Sequence, residues 1–181
     1  MARLTIPTKD TAPAKAQPLL DAVEKQLGVV PNLFRLVAAS PATLEGFLGF
    51  NGALAQTLDA KTRERIALAV AQANGCDYCL SAHSYLGENL AKLDAAEIAL
   101  NRQGKSGDAR ANAAVHFATQ VVATRGQVSS ADLADVRAAG FEDAGIVEIV
   151  ANVAINLFTN YMNNVAETDI DFPAVHAADA A

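Results

Sequence analysis

The run Gly75-Cys76-Asp77-Tyr78-Cys79-Leu80-Ser81-Ala82-His83 holds both cysteines of the chain and one of its three histidines. A Cys-x-x-Cys pair followed by a histidine four residues after the second cysteine is a thiol redox centre that carries its own base. On a helix, Cys76, Cys79 and His83 fall at i, i+3 and i+7, and so share one face. Gly75 is expected to stop the preceding helix and set both cysteines in the first turn of the next, where unpaired backbone N–H groups favour a thiolate. His83 lies one turn beyond Cys79, near enough to take its proton. Cys79 is therefore the expected nucleophile, and Cys76 the resolving partner within disulfide reach.

The same residues also spell a zinc half-site, with His83 as third ligand and Glu64 or His116 as fourth. No second Cys-x-x-Cys accompanies it, and a regular helix spreads these positions over roughly 10 Å of axis, awkward for one tetrahedral ion. The redox reading is preferred, and it needs no metal, haem or flavin. From spacing alone Glu64, inside Lys61-Thr62-Arg63-Glu64-Arg65, reads as part of a solvated, charged helix start.

Helix signals position this run from both sides. Pro18 to Leu27 is amphipathic and closed by Gly28. A short segment, Asn32 to Ala39, follows Pro31, and Ser40-Pro41 opens a helix to about Leu58. Asp59 or Thr62 caps the next, which carries Arg63 to Asn74. The redox run continues to Gly87. Beyond it, Asp94-Ala95-Ala96-Glu97 resembles a capping box for a helix ending near Gly104. Asp108 to Arg125, Ser130 to Ala139 and Glu142 to Glu167 complete the set. No alternating strand pattern intervenes, so the expected fold is an all-α, single-domain helical bundle. It spans residues 18–167, between an N-terminal extension (1–17) and a C-terminal tail (168–181).

In the last helix Asn152, Asn156, Asn160 and Asn164 recur every four residues. Asparagine is a poor helix former, and the stripe reads as a polar seam between helices or subunits rather than a ligand contact. His116, amid apolar neighbours, reads as a core or interface histidine, and His176 as surface. Phe34, Phe47 and Phe50 read as core aromatics, with the wall of an access pocket as the alternative.

The 181 residues are half hydrophobic, rich in alanine and without tryptophan, as close-packed helices require. A net charge of −6 argues against nucleic acid and anionic membranes as partners. No apolar leader is seen in Met1 to Gln17, and Glu148, Asn152 and Asn156 interrupt the longest apolar stretch, so no membrane span is expected. A cytoplasmic, reducing location follows, in which a close cysteine pair is catalytic or metal-binding rather than structural.

Glu64-x11-Cys76-x2-Cys79-x3-His83 resembles the core motif of the alkylhydroperoxidase D-like proteins, within the carboxymuconolactone decarboxylase-like superfamily. The segments Gly28-Val29-Val30-Pro31-Asn32-Leu33-Phe34, Ser40-Pro41, Asn156-Leu157-Phe158-Thr159-Asn160-Tyr161 and Asp169-Ile170-Asp171-Phe172-Pro173 are similar to its peroxidase-related branch. The resemblance implies an all-helical fold assembling into dimers, trimers or hexamers, and hydroperoxide reduction by the cysteine pair. By that resemblance Cys79 is peroxidatic, Cys76 resolving, and His83 with Glu64 the proton relay. It also implies an external dithiol reductant, a carrier-bound lipoyl group or a thioredoxin-like protein. One position departs: Tyr78 stands where the best-known members carry a second histidine, and tyrosine is a poor base near neutral pH. The alternatives are a thiol–disulfide oxidoreductase acting on other thiols, and a non-enzymatic, redox-responsive oligomer.

Overall fold

The computed structural model describes residues 2–179, and its architecture follows from where helices start and stop. Among the described residues nine α-helices run in order: α1 Gln17–Leu27, α2 Asn32–Val37, α3 Pro41–Leu54, α4 Ala60–Ala73, α5 Asp77–Asn89, α6 Ala95–Arg102, α7 Ala109–Thr124, α8 Ser130–Ala138 and α9 Asp143–Ala166. No strand occurs among the described residues.

Capping fixes most of the starts. Asp59 accepts the Thr62 N–H at 3.0 Å and begins α4, Asp108 accepts from Ala111 to begin α7, and Ser129 forms a full capping box with Asp132 at α8. At α6 only half of the anticipated box forms. Asp94 accepts the Glu97 N–H, but the Glu97 carboxylate turns to Arg65, Asn101, Ser106 and Gly107 instead. The third helix also stops earlier than Leu58. The Thr57 hydroxyl donates to the Leu54 carbonyl at 2.7 Å, and the Arg63 guanidinium takes the carbonyls of Ala55 and Leu58. Those side chains satisfy the carbonyls that a longer helix would have needed.

Helix α4 is the spine. Its residues Ile66 to Ala71 are all buried, and it packs against α5, α6, α7 and α9. Its Leu68 and Ala71 join one core with α1, α2, α3 and the cysteines of α5, while Ile66 and Val70 join a second with α7, α8 and α9. Over Ile66 to Ala71 the helix is apolar on every side, as an interior segment is, and it divides two cores. Helix α9 is the one helix among the described residues long and apolar enough to cross a membrane by length and composition. Here it packs Ile146, Ile149 and Val153 into the second core. The segment after α9 returns across α5. Ser81 Oγ accepts the Val175 N–H at 2.9 Å, and Asp77 takes the Ala177 N–H and His176 Nδ1, each at 2.8 Å.

Candidate active site

Gly75 adopts a φ of +60°, a left-handed conformation that side-chain-bearing residues adopt only with strain, and so turns the chain from α4 into α5. Cys76 follows in extended geometry and is the N-cap of α5: its Sγ accepts the Cys79 N–H at 3.3 Å. The two thiols are free and buried, with Cys79 only 2% exposed. They stand, as the spacing suggested, at the cap and first turn of one helix.

Four side chains bear on the Cys79 sulfur. Foremost, the Cys76 thiol donates a hydrogen bond to it, which lowers the Cys79 pKa below the ordinary thiol range against the opposing effect of burial. The positive field of His83 and the carboxamides of Asn163 and Asn160 act in the same direction. The Asn163 Nδ2 lies 3.3 Å from Sγ. The same pairing, with burial, pushes the Cys76 thiol far up, so Cys76 is the protonated member of the pair. This is the asymmetry that a nucleophile and a resolving thiol require.

His83 is one turn further along α5, and its Nδ1 lies 2.8 Å from Glu64 Oε2 on α4. Burial alone would lower its pKa, but the charges of Glu64 and of the Cys79 thiolate outweigh burial and raise it. With Nδ1 engaged by the carboxylate, Nε2 is the nitrogen left to exchange a proton. Packing of α4 on α5 therefore brings Glu64 to the cysteines, which spacing along the chain did not reveal.

Tyr78 lies outside the His83–Glu64 pair. It is buried, its hydroxyl accepts the Leu33 N–H at 3.1 Å, and its ring meets Phe172 edge-on at 5.9 Å. Burial, with Asp171 nearby, pushes its pKa up, so it stays neutral and fastens α5 to α2 and the tail.

A cavity of about 550 Å³ opens over Cys79, of a size that holds a small organic ligand. Glu64 and His83 line one side, and Phe34, Phe47, Ile155 and Phe172 form apolar wall. Phe34 and Phe47 therefore serve core and pocket together, their rings 5.7 Å apart, whereas Phe50 is exposed.

The asparagines divide by function. Asn160 and Asn164 bond Asn74, as a seam between helices does, and Asn160 also bears on the Cys79 sulfur. Asn152 and Asn156 line the cavity. Asn163, outside the four-residue stripe, reaches the sulfur. The missed signal was angular. A repeat of four drifts about 40° per step around a helix, while Asn152, Asn156, Thr159 and Asn163 hold one face. Of the two expectations for His116, core or interface, the core one is corrected: it is exposed on α7, because its neighbours Val115 and Phe117 take the inward positions. His176 is half exposed and paired with Asp77. Among the described residues, no group of three or more His, Cys, Asp or Glu side chains is arranged to hold a metal ion.

The sequence model of the carboxymuconolactone decarboxylase family matches residues 41–120, a span that contains Glu64, Cys76, Cys79 and His83. A search of curated proteins gives no match. Among solved structures, an alkylhydroperoxidase core described as an uncharacterized peroxidase-related protein from Ralstonia eutropha JMP134 is 28% identical. The alignment covers 94% of this chain and 92% of that one, with a TM-score of 0.81. An uncharacterized peroxidase-related protein from Silicibacter sp. TM1040 is 25% identical over 93% and 91%, with the same TM-score. The debrominase Bmp8 shares the fold at 20% identity over 93% and 92%, with a TM-score of 0.78. Partial family match, motif and fold together make this chain similar to the carboxymuconolactone decarboxylase family and to alkylhydroperoxidase-like, peroxidase-related structures.

Proposed function

We propose that this protein is a thiol-dependent reductase of organic hydroperoxides. The observation that carries this reading is the asymmetric thiol pair at the cavity: Cys79 favoured as thiolate, Cys76 held protonated beside it, and His83 backed by Glu64. The Cys79 thiolate attacks the distal peroxide oxygen. An S–O bond forms, the O–O bond breaks, and the departing alkoxide takes a proton from the His83 imidazolium to leave as alcohol. Cys79 is now a sulfenic acid. Cys76 attacks its sulfur, water departs, and a Cys76–Cys79 disulfide remains. An external dithiol, lipoyl or thioredoxin-like, returns two electrons by exchange and restores both thiols.

Burial favours this reading over exchange with protein disulfides. A sulfur only 2% exposed meets a small molecule that enters the cavity more readily than a folded partner, and the reductant must be slim enough to follow it. The debrominase shares the fold, so the choice of peroxide as electrophile rests on the cysteine pair and the two peroxidase-related relatives. Cumene hydroperoxide consumption with dithiothreitol is the test. Wild type should turn over, and Cys79→Ser should fall to the rate of buffer. Equal rates in the two proteins would remove the proposal.

A further inference from the structure

Two carboxamide oxygens face the cavity with nothing in the protein to bind. Asn152 Nδ2 donates to the Glu148 carbonyl and Asn156 Nδ2 to the Asn152 carbonyl, each at 2.8 Å along α9. Those bonds orient the amides, because a flipped amide would set its oxygen against the same carbonyl. The Oδ1 atoms are thereby left as acceptors. Both residues are more than nine-tenths buried, both line the cavity, and neither oxygen is sealed inside the protein. Glu64 is already held by His83, and Asn152 and Asn156 are the buried carboxamides of the lining, the acceptors set deepest for a guest. A buried acceptor left without a partner is costly, and a ligand that supplies a hydrogen removes that cost.

We infer that the cavity selects a mainly apolar organic substrate bearing a hydrogen-bond donor, a hydroxyl or N–H, which Asn152 and Asn156 accept. Asn156 and the sulfur-contacting Asn163 are seven residues apart on α9, so this donor lies roughly 10 Å along the helix axis from the group that meets Cys79. The substrate is thus an elongated hydroperoxide whose far end carries the donor. Hydrogen peroxide and unfunctionalised alkyl hydroperoxides leave both asparagines unmatched. The inference rests on the cavity being the substrate site, and deepens that reading.

Its test is binding without turnover. Full-length Cys79→Ser protein is titrated with 2-naphthol and with 2-methoxynaphthalene, of the same shape but lacking the donor, and the fluorescence of each probe reads occupancy. At about 1 kcal/mol for one hydrogen bond, 2-naphthol should bind about fivefold tighter. Asn152→Leu/Asn156→Leu, of matching heavy-atom skeleton and checked for native helicity by circular dichroism, should erase the preference while keeping the affinity for the ether. Equal affinities in the parent protein, failure of both probes to bind, or a preference that survives the double substitution would each overturn the inference. If that double variant fails to fold, Asn156→Leu alone is read the same way, and so are the parent affinities. Because neither probe is a peroxide, loss of peroxidase activity and loss of donor recognition remain separate results.

Discussion

At Cys79, two effects compete, and their balance sets the chemistry. Burial penalises a thiolate, whereas a thiol donor, a nearby imidazolium and two carboxamides reward it, and the donors prevail. Alkylation of Cys79 by iodoacetamide should therefore reach half its maximal rate at a pH below the ordinary thiol value of about 8.5. Since Asn163 stabilises only the ionised form, Asn163→Leu should move that midpoint upward by about one unit, the size of a lost hydrogen bond to a charged group. A midpoint unmoved by the substitution would deny Asn163 its role. The cysteines and His83 were legible in the sequence because they are local, all within one helix and its cap. Glu64 was legible only through the family motif, because its approach depends on how α4 lies against α5. Asn163 was not legible, since it stands outside a stripe counted by sequence interval rather than by angle.

Among the elements, α4 must hold Glu64 against α5, and its opposite anchor is a polar knot. Arg65 donates to Glu97 at 2.7 Å, and the same carboxylate accepts from Asn101, Ser106 and Gly107, with both ion-pair side chains only 12% exposed. Burial would raise the Glu97 pKa, but these donors outweigh it and bring the pKa down to about 2. A folded-state pKa below that of the unfolded chain gives stability that is complete above about pH 4.5 and fades as pH falls toward 2. Glu97→Gln should cost about 3 kcal/mol at pH 7 in urea unfolding, and the difference from wild type should shrink on acidification through that window. A constant difference across the window would contradict the assignment. Helix starts were legible because aspartate and serine caps act locally. The end of α3 was not, because Arg63, from the next helix, settles it. The capping role first read for Glu97 likewise gave way to partners that only the tertiary fold supplies.

At the scale of the whole molecule, α9 carries an exposed apolar face. Val147, Val150, Tyr161 and Val165 on α9 are exposed by between 41% and 66%, and with exposed Ala154 they recur at helical spacing along one side. We propose that copies of the chain meet on this face. Light scattering should find a multimer at micromolar concentration, and Tyr161→Glu with Val165→Glu should give a folded monomer; a monomeric native protein would refute the proposal. In the C-terminal tail, Phe172 walls the cavity while Val175 to Ala177 bond α5. Such a role is invisible in a sequence, because it depends on where the chain returns after α9. What unites the scales is a division of labour between two sulfurs. Intact-mass and peptide mass spectrometry after one equivalent of cumene hydroperoxide reads it directly. Wild type should lose two hydrogens as a Cys76–Cys79 disulfide, and Cys76→Ser should gain a single oxygen on Cys79. An oxygen on the upstream sulfur in Cys79→Ser at the same rate, or no change in either protein, would contradict the account.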